Sequence, residues 1–179
     1  MNGTLRTVTG DVRSPQFSAE NELAIIPHCC NNLGVMGAGV AKALRDKWPL
    51  VFKVYEQDKE ASDLAASCPN GFKDRLGTNT NAVVEKNIIV VNMVGQDGVR
   101  GADNPLPVKY WALTKCLESI RKNLIGLLSQ HIKYKNMKPV IHCPKFGSDL
   151  AGGNWDFILE IIREQLLEYG IDVVVYEFG

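Results

Sequence analysis

The residues best equipped for chemistry fall in two stretches. His28-Cys29-Cys30-Asn31-Asn32-Leu33-Gly34-Val35-Met36-Gly37-Ala38-Gly39-Val40-Ala41 is one, and Pro144 to Trp155, holding Gly147-Ser148-Asp149-Leu150-Ala151-Gly152-Gly153-Asn154, is the other. Imidazole titrates near neutrality, so His28 could activate a water or protonate a leaving oxygen. An asparagine amide such as that of Asn31 both donates and accepts hydrogen bonds. Asp149 is the carboxylate of the second stretch and could partner His28 or act as a second base. Glycine allows close approach of the backbone to a ligand, and the unpaired N–H groups at a helix start favour an anion. Glycines after strands also make ordinary tight turns, but two strand, glycine loop, helix units facing one another would suit a diphosphate.

The established phosphate fingerprints do not fit. Neither loop places Lys-Ser or Lys-Thr after its last glycine, as a P-loop requires. Gly34, Gly37 and Gly39 run G-x-x-G-x-G, and the dinucleotide pattern counted from Gly37 meets Lys42 where it demands glycine. Neutral backbone cradles are expected, suited to holding a nucleotide-like diphosphate rather than transferring a phosphoryl group with magnesium. Zinc is a weak alternative. His28, Cys29, Cys30, His142 and Cys143 are capable ligands, but strand neighbours point to opposite faces, so neither a metal nor a cofactor is expected. Apolar company raises rather than lowers a thiol pKa, which disfavours a catalytic cysteine.

These loops need strands before them and helices after them. Thr4 to Val8 reads as a short strand, and Leu23 to Cys29 as a buried one that Pro27 should end or bulge. Val40 to Trp48 has helical spacing, stopped or offset by Pro49, and residues 50 to 60 can continue helically. Ala82–Glu85 and Ile88–Val94 flank Lys86-Asn87 as a hairpin. Trp111, Leu113, Leu117, Ile120, Leu124 and Leu128 mark another helix, and Val140 to Cys143 a strand stopped by Pro144. A helix carrying Ile158, Ile161, Ile162 and Leu166 then runs to Gly170 as its stop, before a last strand from Ile171 to Phe178. The order implies an α/β fold with helices on both faces of a mixed sheet.

Composition agrees. Hydrophobic residues make up 45% and charged residues 22% of the 179, which fits one folded domain over 1–179 and argues against disorder or a coiled coil. Lys plus Arg and Asp plus Glu both total 20, so no basic field exists to collect duplex nucleic acid or anionic lipid. No apolar run approaches the ~20 residues of a spanning helix. Five cysteines, an odd number in apolar runs, point to a reducing compartment, and the N-terminus lacks a signal-peptide pattern. An intracellular, cytoplasmic monomer is the expectation.

Thr9-Gly10-Asp11-Val12, the His28 to Ala41 stretch and Pro144 to Trp155, taken in this order, resemble a macro domain across nearly the whole chain. The stretch H-x-C-N-x-x-G-x-x-G-x-G-V-A carries the most specific part of that likeness. The resemblance implies a three-layer α/β/α fold with a mixed central sheet that binds ADP-ribose or a derivative. By position, Asp11 would accept the adenine amino group, with Val12 adding backbone contacts, and Phe178 or Tyr176 could lie against the base. Asn31 would face the distal ribose. Gly37, Ala38, Gly39 and Val40 would form one loop around the diphosphate, and Gly147, Ser148, Asp149, Leu150, Ala151 and Gly152 the other.

The H-x-C-N form is similar to ADP-ribose-1″-phosphate phosphatases, which implies hydrolysis of ADP-ribose-1″-phosphate to ADP-ribose and phosphate, with His28, Asn31 and Asp149 as the catalytic set. Removal of ADP-ribose from modified macromolecules, or non-catalytic reading of ADP-ribose, are the alternatives. Three departures bear on them. Ala151 stands where the terminal ADP-ribose-protein glycohydrolase subgroup has its aspartate, no lysine occurs at 93 to 96, and His28 replaces the first asparagine of the deacylating group.

Overall fold

The structure, a computed structural model, describes residues 1–178. The chain folds as β1 (Leu5–Thr9), β2 (Glu22–Asn31), α1 (Gly39–Lys47), α2 (Pro49–Leu64), β3 (Asn79–Glu85), β4 (Ile88–Gln96), α3 (Tyr110–Ser119), α4 (Gly126–Gln130), β5 (Lys138–Pro144), α5 (Trp155–Gln165) and β6 (Val173–Glu177). A single wide π-helical stretch, Ile120–Ile125, joins α3 to α4. Six strands form one sheet in the order β1-β6-β5-β2-β4-β3. Every pairing is parallel except β3 with β4, where the expected hairpin at Lys86-Asn87 turns the chain back along the edge. The mixed three-layer architecture therefore stands as expected. No helix of the described residues is long and apolar enough to cross a membrane.

The strands are apolar on both faces because both faces are covered. Leu23 and Ile25 of β2 point into a core with Leu113 and Leu117 of α3 and Ile158 and Ile162 of α5. Ala24, Ile26 and Cys30 point the other way, to Leu44 of α1 and Val51 and Tyr55 of α2. This period-two division decides the fate of every polar side chain on β2.

Some expectations shift. Pro27 neither ends nor bulges β2, which runs to Asn31 with a register change at Cys30/Asn31. Pairing with β5 ceases at Ile25–Ile141, so Pro27 lies where β2 keeps one ladder partner, β4, and its missing N–H is tolerated. Pro49 divides the helical run in two: α2 starts at Pro49 after Trp48 adopts extended backbone. Gly170, in the left-handed region at φ 77°, closes a short turn beyond α5 rather than α5 itself. Trp111 is half exposed, off the buried stripe of α3.

Candidate functional site

Parallel pairing sends the carboxyl ends of β2, β4 and β5 to one edge of the sheet. Past Ile25 and Ile141 the ladder between β2 and β5 is open, although the strands continue to Asn31 and Pro144. The helices that follow leave for opposite faces, α1 with the cluster around Leu44 and α5 with the cluster around Ile158. A crevice at such a divergence point is where open α/β sheets bind ligands. Here it is a cavity of about 370 Å³, floored by β2 and Pro144 and walled by both glycine loops, Gly37 to Val40 on one side and Gly147 with Asp149 to Ala151 on the other.

Both loops bring unclaimed main-chain N–H groups to the cavity walls. Ala38 caps α1 in extended conformation with no side-chain hydrogen bond, and the amides of Gly39, Val40 and Ala41 meet no acceptor among the described residues. Helix α1 therefore presents free N–H groups and the positive end of its dipole to the cavity. The amides of Asp149, Leu150 and Ala151 are likewise unclaimed among the described residues. Gly39 has φ +59°, and a Cβ there would lie 2.9 Å from Leu150 Cδ1, so the two loops touch at this point. Gly152 has φ +72°, and a Cβ would approach Pro105 O to 2.7 Å, which lets the second loop pass beneath the 97–107 segment. Gly152 and Ser148 do not themselves line the cavity, and Ser148 Oγ donates to Lys145 O at 2.8 Å within its own turn.

The proposed catalytic set is not assembled. The His28 side chain faces the core beneath α2, one hundredth exposed, with Nε2 2.6 Å from Asn92 Oδ1. Asn92 Nδ2 donates to Val51 O and Thr80 Oγ1, leaving its oxygen as the acceptor and placing the imidazole proton on Nε2. Burial drives the His28 pKa down to about 4, against the smaller opposing effect of Asn92. A neutral ring committed to a core asparagine replaces the expected acid–base group; His28 borders the cavity as part of the β2 floor. The reason is register: His28 lies opposite Asn92, so both side chains share one face.

Asn31 also turns inward. Its Oδ1 accepts from Leu33 N, Val35 N and Tyr55 Oη, and its Nδ2 donates to Val35 O at 2.8 Å. These bonds shape the first loop, while Asn31 still lines the cavity. Asn32 does the same on the far side, accepting from Gly98 N at 2.8 Å and donating to Asp97 Oδ1 at 3.0 Å. Asp149 is exposed at the cavity wall and makes no contact with His28.

Asp11 and Val12 lie outside the cavity lining. Arg13 grips the Asp11 carboxylate from Nε and Nη2, 2.8 and 2.6 Å from Oδ2, and holds its pKa below the usual carboxylate range. Val12 is buried in the same cluster as Met36, which does line the cavity. Of the two aromatic residues considered for adenine, Tyr176 is buried and Phe178 exposed.

Two cations that the glycine motifs did not reveal border the cavity. Lys145 pairs with Glu177, and Arg100 reaches Asp149 O at 3.4 Å. The cradle is thus not wholly neutral. Arg100 comes with Val99 from the long segment that follows Gln96, the last residue of β4 and itself part of the lining, and the length of that segment was the available signal, since long loops inside compact domains are usually functional. Among the described residues no group of three His, Cys, Asp or Glu side chains converges on a metal position, and β2 splits Cys29 from His28 and Cys30. Burial pushes the Cys29 thiol up to about 12 and raises Cys30 and Cys143 as well, so none supplies a thiolate near neutrality.

No protein-family model matches the chain. Among curated proteins, chromodomain-helicase-DNA-binding protein 1-like from Danio rerio is 28% identical over 178 residues, 97% of this chain and 16% of that protein. ADP-ribose 1″-phosphate phosphatase from Aspergillus oryzae is 36% identical over 53 residues, 30% of this chain and 24% of that protein. The chain thus spans a quarter or less of these curated relatives.

Solved structures match over the full length. A Bacteroides thetaiotaomicron protein of unknown function superposes with TM-score 0.77 at 29% identity, covering 97% of this chain and 98% of that one. A macrodomain protein from Streptomyces coelicolor gives 0.72 at 28%, covering 98% and 99%. DarTG from Thermosipho africanus, solved in complex with ADP-ribose, shares the fold at TM-score 0.66 and 18% identity, over 97% of this chain and 41% of that one. Strand order, the opposed glycine loops and the end-to-end match to a named macrodomain agree: the chain has the macro domain fold and is similar in sequence to a macrodomain over its full length.

Proposed function

We propose that this protein binds ADP-ribose, with the diphosphate held between the Gly37–Val40 and Gly147–Ala151 loops. The observation that carries this reading is the facing of two glycine loops with unclaimed amides across a cavity of about 370 Å³. Backbone N–H groups at a helix start are directional donors that suit phosphate oxygens without needing a lysine for each charge. Arg100 and Lys145 add positive potential at the rim. Asp11 and Val12 follow β1, on the β6 side of the sheet and outside the cavity lining, and in this reading the adenine would extend out of the cavity toward them. The ADP-ribose held by the DarTG relative of the same fold supports this ligand. Calorimetry with ADP-ribose, AMP and NAD tests it: saturable binding strongest for ADP-ribose is expected, and no heat with any of them overturns the reading.

A second reading, hydrolysis of ADP-ribose-1″-phosphate, draws on the partial match to the Aspergillus oryzae phosphatase. The arrangement of side chains favours binding without turnover, since His28 and Asn31 are occupied internally. If turnover occurs, Asp149 is the carboxylate at the cavity that can serve as base. Phosphate release that Asp149→Asn abolishes while ADP-ribose still binds establishes the second reading.

A further inference from the structure

On the sheet face opposite α3 and α5, helices α1 and α2 pack mainly against β2, β3 and β4. Over β5 and β6 that face is instead met by the β1–β2 loop, whose Phe17 ring lies 5.9 Å from the ring of His142. Beneath it runs a buried polar chain across three neighbouring strands. Tyr176 Oη on β6 is 2.8 Å from His142 Nδ1 on β5, and His142 Nε2 is 2.6 Å from Glu22 Oε1 on β2. All three side chains are buried.

Both ends of this chain seize the loop. Gln16 N donates to Tyr176 Oη at 2.8 Å, and Ser18 N donates to Glu22 Oε2 at 2.9 Å. The donors can be ordered without conflict: Tyr176 O–H donates a hydrogen bond to Nδ1, and Nε2–H donates to the carboxylate. Glu22 thus receives a hydrogen bond on each oxygen, and burial keeps the ring neutral by lowering its pKa. A residue of mere core filling at 142 would leave the two strand-borne anchors unconnected.

We propose that Tyr176, His142 and Glu22 are positioning residues for the nucleobase end of the site, acting through the β1–β2 loop that carries Asp11. This rests on the reading that ADP-ribose is bound with Asp11 at the adenine amino group. The chain of contact is short: Gln16 Nε2 also donates to Thr9 O at 3.1 Å, and Val12 packs in one cluster with Tyr176 and Met36. Releasing Gln16 loosens the segment on both sides of Asp11.

The test compares ADP-ribose with its hypoxanthine counterpart, inosine diphosphate ribose, which has a carbonyl in place of the amino group. Wild-type protein should favour ADP-ribose, and Tyr176→Phe, which keeps the ring in the core, should lose roughly tenfold in ADP-ribose affinity and most of that discrimination. His142→Gln presents a donor and an acceptor side by side and should retain more discrimination than His142→Leu. In the free protein, amide exchange at Gln16 and Ser18 should quicken in Tyr176→Phe. Unaltered discrimination in Tyr176→Phe, or a loss that is equal for both ligands, overturns the inference. Wild-type protein that binds neither ligand overturns the functional reading beneath it, and equal wild-type affinities overturn the placement of Asp11.

Discussion

Leu150 closes over Gly39: its Cδ1 lies 2.9 Å from the point a β-carbon on that glycine would occupy, joining the two loops that follow β2 and β5. The left-handed φ of +59° explains why residue 39 lacks a side chain, while the Leu150 methyl, at the end of a half-exposed side chain, adds a smaller steric cost. Gly39→Ala should cost about 1–3 kcal/mol of stability in urea unfolding. Leu150 is half exposed, so Leu150→Ala alone should be near neutral. Combined with Gly39→Ala it should restore the steric part of the loss and leave the backbone part. Strict additivity of the two substitutions would falsify the contact between the loops.

Gly37 presents the opposite case. A β-carbon there meets nothing within 4 Å, yet the residue lines the cavity. Gly37→Val should therefore leave the thermal midpoint within a degree or two while weakening ADP-ribose binding more than about tenfold, because the added methyls fill ligand space and not protein space. Retained affinity in calorimetry contradicts the role given to this loop.

Acid should destabilise the fold through its buried histidines. The His28 pKa of about 4 lies below its ordinary value of 6.5, so the unfolded chain takes up the proton first as pH falls. The stability this provides is whole above pH 6.5 and is lost as pH drops toward 4, about 3 kcal/mol at the limit. His142 is shifted in the same direction and adds to the slope. Urea denaturation from pH 7.5 to 4.5 should show the decline, and His28→Gln, which keeps a donor for Asn92 without titrating, should flatten it. An equally steep curve for that variant removes His28 as its source.

The Asp11 carboxylate is taken up by Arg13, whose side chain is about one-third exposed. Such a pair contributes little to stability. Arg13→Ala should leave the midpoint nearly unchanged and, by freeing the carboxylate for an adenine amino group, tighten ADP-ribose binding by up to about fivefold. Weaker binding in titration calorimetry assigns Arg13 itself to the ligand.

Local signals reached far into this fold. Alternation and apolar runs located the strands, the Lys86-Asn87 turn marked the hairpin, and Pro49 separated two helices, because each of these is settled by backbone preferences within a few residues. The two glycine loops were visible for the same reason, and the parallel sheet brings them face to face.

What the amino-acid order alone determined was therefore the elements, their succession and the two glycine loops that flank the cavity. Only the tertiary structure decided which polar side chains face that cavity. His28 meets Asn92 across 64 residues of sequence, and His142 meets Glu22 across 120, through strand register that no local pattern encodes. Asn31 turned to its own loop, Arg13 reached Asp11, and Arg100 arrived from the segment after β4. A buried polar group must find a partner, and which one it finds depends on packing at a distance.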